Sequence, residues 1–253
     1  LQSGPQIAPA VDDEIRELLL ESAKQAGIAV KTNVKVKSIG AHKTVQAEID
    51  GRVEAFAADQ VMFATGRPSN VEPLNPQAAG IELDRSAVKM NDYFQSVSAP
   101  HVYAVVDAAG KHQHSPVAWH EGPIAAHNAI NGNEKKTDFT VFPNAIFTIP
   151  SIGQVGLTEK EALNRGRKAK VSKLSYDSNP AAGLRDETEG LVKVVYEENT
   201  EKILGVHVIG ARAEDIVQIA AMAIKSGLTK SQVGAMHYVF PTFGGAIFDA
   251  MAS

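Results

Sequence analysis

Two stretches decide the fold: Val61-Met-Phe-Ala-Thr-Gly-Arg67 and, forty residues on, His101-Val-Tyr-Ala-Val-Val-Asp-Ala-Ala-Gly110. Each is a short apolar run that reads as a buried parallel strand. Each then breaks into small residues, where a ligand can approach the backbone at the carboxyl end of a strand in an open α/β sheet. The second run ends in a lone carboxylate, Asp107, and is followed by Ser115-Pro116-Val117-Ala118. Pro at the first helical position with Ser just before it as the cap predicts a helix over 116–130.

Around these stretches the rest of the chain falls into place. Residues 12–26 form an amphipathic pattern with Ile15, Leu18, Leu19, Ser22 and Ala26 on one stripe, Asp12 and Asp13 at the positive end and Gly27 as the stop. A strand is expected at Ile28 to Lys31, then alternating runs at 34–39, 44–49 and 52–57, with Asp50-Gly51 as a tight hairpin turn. Gly80 to Asp84 and Val88 to Phe94 read as short strands. After a polar linker at Asn131 to Lys136 the pattern changes to α+β. It has strands at 145–148, 190–196 and 203–209, and helices at 158–165, 212–227 and 229–235.

Composition narrows the function classes. The 253 residues are 44% hydrophobic and 21% charged, an ordinary globular composition. A net charge of -4 with no clustered basic face argues against a nucleic-acid partner. With no cysteine, the chain has neither disulfide nor thiol chemistry of its own, and cytoplasm is the default compartment. Its longest apolar stretch, Ile216 to Ile224, is far short of the roughly 20 residues of a membrane helix. Five of the eight histidines fall between His101 and His127, yet no regular third ligand accompanies His112-x-His114, so no metal site is assigned. Gly205 to Gly210 mimics the outer glycines of a phosphate loop but continues as Ala211-Arg212 and sits between strand residues, which makes it a decoy.

Taken with Phe147-Thr-Ile-Pro-Ser-Ile-Gly-Gln-Val-Gly-Leu-Thr-Glu159, the opening stretches resemble the pyridine nucleotide-disulfide oxidoreductases, such as glutathione reductase, dihydrolipoamide dehydrogenase and mercuric reductase. The resemblance covers nearly the whole chain. It implies α/β plus α+β architecture: residues 1–60 as the closing part of an NAD(P)-binding domain, 61–136 as the C-terminal part of an FAD-binding domain, and 137–253 as a dimerisation domain. It also implies the cofactors FAD and NAD(P), and a homodimer through residues from about 140 to 253, where the apolar helix at 214–226 and Phe243, Ile247, Phe248 and Met251 are expected at the interface and the final segment reaches into the partner's active site. The chain lacks the family's Gly-x-Gly-x-x-Gly turns and its redox cysteine pair, and it starts at Leu1, so it is expected to be the C-terminal part of a larger flavoprotein and inactive by itself.

Residue by residue, the resemblance assigns Asp107 to the flavin's ribityl chain, with Ala108 beside it. Thr65 and Gly66 become cofactor-side contacts, and the helix opening at Ser115, Pro116 and Val117 is aimed at the pyrimidine edge of the flavin. Phe147 falls near the nicotinamide side. Two departures stand out. Val106 occupies the position where the family has Gly. Phe240-Pro-Thr-Phe-Gly-Gly245 aligns with the family's His-Pro-Thr-x-x-Glu, so the acid/base pair is replaced by Phe240 and Gly245, neither of which carries a proton. His237 lies three residues before Phe240, on the opposite face if the stretch is extended. The implied activity is therefore hydride transfer from nicotinamide to flavin and on to a small-molecule acceptor that takes electrons directly, such as a quinone, another nicotinamide, a metal ion or oxygen. A non-catalytic dimerisation or scaffold module is the alternative.

Overall fold

A computed structural model describes residues 1–253. In chain order the elements are α1 (Asp13–Gln25), β1 (Lys35–Ile39), β2 (Thr44–Ile49), β3 (Arg52–Ala57), β4 (Leu83–Asp84), β5 (Ala87–Val88), α2 (Ser115–Asn131), β6 (Asn144–Ile146), β7 (Ile152–Gly156), α3 (Glu159–Asn164), β8 (Ala169–Ser175), α4 (Pro180–Arg185), β9 (Leu191–Glu197), β10 (Ile203–Ile209), α5 (Ala213–Lys225), α6 (Lys230–Gly234) and α7 (Gly245–Ala252). They divide into two compact units: Leu1–Val61 with Thr140–Ser253, and Met62–Phe139. No helix is long and apolar enough to cross a membrane.

The first unit is built on a five-stranded sheet, β6-β7-β10-β9-β8, antiparallel throughout. Side chains alternate along each strand, so the two faces meet different neighbours. On one face Val155, Val192, Val194, Val206 and Val208 pack with Ile216, Val217 and Ala220 of α5 and with Ile247 and Met251 of α7. On the other, Ile152 and Ile209 pack with Val11, Ile15 and Leu19 of the α1 segment. Tyr176 is fully buried at the sheet end, where its hydroxyl donates to Ala211 O at 2.9 Å. Burial holds that hydroxyl's pKa far above the ordinary tyrosine value. The ring fits only because residues 190 and 210 are glycines: a Cβ there would stand 2.6 and 2.5 Å from it. The apparent phosphate loop at Gly205 to Gly210 is thus a packing feature of β10 and the turn after it.

Helix α1 begins as its sequence requires. The Asp12 side chain accepts from Glu14 N, Asp13 and Glu14 occupy the first turn and Lys24 the last. β1, β2 and β3 form a meander, with Asp50 and Gly51 at φ 49° and 76°, as a two-residue hairpin turn demands.

Several expectations are corrected. Residues 28–31 form no strand; Lys31 O accepts from Gln2 N at 2.8 Å, but no ladder continues from it. The stretches at 61–67 and 101–106 are not strands either, apart from a bridge between Gln95 and Tyr103. A buried parallel strand needs neighbours on both sides for its N–H and C=O groups. No segment of the chain pairs with 61–67, and Met62 and Phe63 are 89% and 72% exposed. Ser115 is the first helical residue and not the cap; His114 takes that position, and its side chain makes no capping hydrogen bond. β6 stops at Ile146, leaving Phe147 82% exposed. Phe243, Ile247 and Met251, expected at an interface, finish this chain's own core.

A buried polar contact crosses this apolar architecture. Lys193 Nζ, on β9 and facing α1, lies 3.1 and 3.2 Å from the two carboxylate oxygens of Asp12, 3.3 Å from Glu14 and 3.0 Å from Glu159. Burial pulls the lysine's pKa down, but the bonds to Glu159 and Asp12 more than offset this and hold it above the ordinary value. Glu14 and Glu159 still face Lys193 when Asp12 is removed, so Asp12→Ala should cost the charged hydrogen bonds alone, about 1.5–3 kcal/mol. Asp12→Ala with Lys193→Met should cost clearly less than the sum of the two single changes. Urea denaturation of the four proteins measures the coupling, and simple additivity would contradict the contact.

Candidate functional site

The candidate site lies in the second unit, on the turn that carries Asp107. Ala108 N donates to Val105 O at 3.1 Å, Ala109 N to Val106 O at 3.2 Å and Gly110 N to Asp107 O at 3.1 Å, so the chain coils tightly over these residues. Val106 sits at φ 51° with its side chain buried. A β-branched residue in the left-handed region is an outlier, costing on the order of 1–2 kcal/mol. This is the position at which the resembled family has Gly, and the backbone conformation supplies the reason for that residue type.

The turn is held from several directions. Val106 N donates to Glu121 Oε2 at 3.0 Å, and Glu121 is buried in α2. Ser69 Oγ donates to Asp107 O. Ser69 N in turn donates to Ser86 Oγ at 3.0 Å, and Val88 N to Ala108 O at 2.8 Å. Gly110, at φ 66°, leaves no room for a Cβ, which would stand 2.7 Å from Ala87 Cβ. The Asp107 carboxylate is left exposed on a backbone that its surroundings fix, and Ala108 is half-buried beside it.

Seven residues past Ala108, α2 starts with Ser115 and Pro116 exposed and Val117 buried beneath them. The residue before it makes no capping side-chain bond, and Ser115 and Pro116 at its positive end are exposed. The Thr65-Gly66 turn is exposed and is tied to the approach to α2: Arg67 donates to Gln113 O at 3.3 Å, and Gln113 Nε2 donates to Arg67 O at 3.2 Å. The structure therefore gathers Thr65, Gly66, Asp107, Ala108, Ser115, Pro116 and Val117 into one unit; Phe147 belongs to the other. Alongside them runs a cleft of about 1090 Å³, lined by Arg67, Arg85, Lys89 and Lys111 against the one carboxylate of Asp84.

Three supporting residues escaped the sequence reading. Val117, Glu121, Ala125 and Asn128 are the buried positions of α2, spaced as one helical face, and that spacing is the signal that would have found Glu121 and Asn128. Asn128 Nδ2 donates to Tyr93 O at 3.1 Å, and its Oδ1 accepts from Lys135 N at 2.9 Å, closing the helix end. Ser69 carries no comparable signal.

At the C-terminal segment, Phe240 is 65% exposed and His237 is exposed on irregular backbone. Tyr238 takes the space beside Gly245: its hydroxyl donates to Asp249 at 2.5 Å, its ring stacks on Phe248 at 5.0 Å, and a Cβ on residue 245 would meet that ring at 2.8 Å. The bond to Asp249 raises the phenol's pKa, so Tyr238 keeps its proton. No group of three or more His, Asp or Glu side chains is placed to hold a metal ion; His112 stacks on Phe139 and His127 meets Glu134 at 3.0 Å.

Comparison with known proteins identifies the family of the chain. The family model described as pyridine nucleotide-disulphide oxidoreductase matches residues 1–130, and that family's dimerisation domain matches residues 142–251. A mercuric reductase of Staphylococcus aureus is 36% identical over 90% of this chain and 42% of its own length. A dihydrolipoyl dehydrogenase of Thermus scotoductus is 34% identical over 97% of this chain and 54% of its own. A glutathione reductase of Burkholderia cepacia is 32% identical, over 96% and 54%. The chain thus spans about half the length of the curated relatives it matches. The solved HOCl-induced flavoprotein disulfide reductase RclA of Escherichia coli superposes with a TM-score of 0.87 at 21% identity, over 99% of this chain and 57% of that one, which shows the fold.

The lock on the turn has a measurable cost. Glu121→Ala leaves the Val106 N–H buried without its acceptor and should lower stability by about 1–3 kcal/mol. Hydrogen exchange should quicken at residues 105–110, while the amides of β9 and β10 stay as slow as before. Unchanged exchange at the turn would show that Glu121 does not hold it.

Proposed function

The chain belongs to the pyridine nucleotide-disulphide oxidoreductase family, and from that premise we propose that it supplies the second half of a flavin site and the dimerisation domain of an FAD-dependent NAD(P)H oxidoreductase. Members of the family such as glutathione reductase and dihydrolipoyl dehydrogenase use FAD and NAD(P)H. In this reading residues 1–60 close the NAD(P)-binding domain, 61–136 the FAD-binding domain, and 137–253 form the dimerisation domain.

The observation that carries the proposal is the exposed Asp107 carboxylate on a fixed turn, in the same unit as the exposed positive end of α2. The donor set fits FAD in kind. An acceptor such as Asp107 suits the hydroxyls of a ribityl chain, and the Ser115 end of α2 suits a ring edge that becomes negative on reduction. Bound flavin supplies hydride acceptance and onward electron transfer. Thr65, Gly66 and Ala108 present small exposed or half-buried surface that a large planar group can approach. With Phe240 and Gly245 in place of an acid/base pair, and the Tyr238 hydroxyl donating to Asp249, neither matching position can protonate a thiol leaving group. An acceptor that takes electrons directly from flavin fits that better than a disulfide.

Asp107→Ala in the full-length protein should weaken flavin binding by roughly ten- to hundredfold, the equivalent of about 1.5–3 kcal/mol for lost bonds to a charged acceptor. Flavin retention through gel filtration, read from its visible absorbance, measures this; full retention would remove Asp107 from the site.

The first unit is proposed to pair with a second copy about a two-fold axis. Leu184, Met222, Val239 and Phe240 are 77%, 73%, 77% and 65% exposed there, more large apolar surface than a solitary sheet-and-helix unit leaves in water. Light scattering at micromolar concentration should give the mass of a dimer, and Met222→Glu should shift it toward monomer. A monomer mass for the unaltered chain would contradict the pairing.

A further inference from the structure

The face of the sheet beneath α1 carries a row of polar side chains where apolar ones would be expected. Gln154 on β7 is paired in register with His207 on β10, which is paired with Lys193 on β9, and Lys193 with Lys173 on β8. His207 and Lys193 are buried, and they share this face with Ile152 and Ile209, which carry the apolar contact to α1. His207 Nε2 lies 3.0 Å from Leu157 O and must donate to it, because a carbonyl only accepts. That fixes the neutral ring as the Nε2–H tautomer, with a bare acceptor at Nδ1. The Nδ1 atom has no partner, and neither has Oε1 of the adjacent Gln154.

We propose that His207 is a proton-sensitive catch that keeps α1 docked on the sheet, and that taking up a proton at Nδ1 releases the helix. Three features of the packing make it so. First, a proton at Nδ1 creates a second buried cation directly across the ladder from Lys193, and like charges in register repel. Second, the carboxylates in reach are already engaged. Asp12 and Glu14 from the α1 segment and Glu159 from α3 all bond Lys193, while Glu14 also takes Lys173 and Glu161 caps α3. Third, the new N–H can be hydrated only if a covering element lifts. Two elements cover this face: the Leu157–α3 segment, bonded by His207 Nε2, and α1, held by Val11, Ile15, Leu19 and the Asp12–Lys193 contact that a second cation opposes.

The direction of the pH effect follows. Burial lowers the His207 pKa, the bond to Leu157 and the charge of Asp12 oppose this, and Lys193 adds to it. A histidine held below its ordinary value near 6.5 binds fewer protons docked than undocked. The docked state is therefore fully favoured above that pH and loses ground as pH falls through it. A response near pH 6 lies in the ordinary range of a histidine.

Hydrogen exchange on the 253-residue chain, corrected for intrinsic rates, tests this at about pH 7.5 and about pH 5.5. The amides of α1 should lose protection by at least about tenfold at the lower pH, those of α5 should change much less, and His207→Leu should abolish the difference. In parallel, the His207 ring resonance in the unaltered chain should titrate together with the α1 amides. This second measurement decides the matter if the variant does not fold. Protection of α1 that is unchanged between the two conditions, a fall shared equally by α5, the same fall in folded His207→Leu, or ring titration without α1 release would each overturn the proposal.

Discussion

Lys193 is a cation cut off from water, and its electrostatic needs organise the first unit. Its partner Asp12 stands 181 residues earlier, at the start of α1, and Glu14 and Glu159 share the same lysine, so segments far apart in sequence are joined at one buried charge. Around that pair the packing is conventional. Valines on one face of the sheet meet α5 and α7, while isoleucines on the other meet α1. Apolar contact alone would tolerate small slides of α1 across the sheet, because its gain depends on area and not on direction. The ion pair, with both Asp12 oxygens engaged, is directional and fixes the register of helix on sheet.

The second unit is governed by a different constraint. With little regular secondary structure between Met62 and His114, most of its backbone polar groups are satisfied in turns, bridges and side-chain contacts. Glu121, Asn128 and Ser69 serve this purpose, each spending polar atoms on main-chain partners. Asp107 is consequently presented by a backbone whose conformation is determined elsewhere. Even the unfavourable Val106 is kept in the left-handed region by the bonds on either side of it.

Much of this could be read in the residues. Alternating runs placed β2, β3 and β10 at their observed limits, and Asp50-Gly51 declared its turn. The capping pattern of α1 and the positions of α3, α5 and α6 were equally legible, because local chemistry decides them. The failures share a cause. The apolar stretches at 61–67 and 101–106 have strand composition, but composition cannot reveal whether a hydrogen-bonding neighbour exists. Phe243, Ile247 and Met251 look like interface residues until the sheet that buries them is known. At the site, exposed carboxylate and helix opening were visible as motifs. The buried glutamate behind them was not, since its partner is a backbone amide with no sequence signature.

The fit between Tyr238 and Gly245 makes substitutions at the two positions depend on each other. A side chain of any size at residue 245 must displace a ring that is stacked on Phe248 and anchored to Asp249. Substitutions there are conditional: neutral or useful once residue 238 has become small, harmful before. While Tyr238 holds this place, no single substitution sets a larger residue at 245 without moving the ring. Laboratory evolution starting from this chain would meet the same order of events, with change at 238 preceding change at 245.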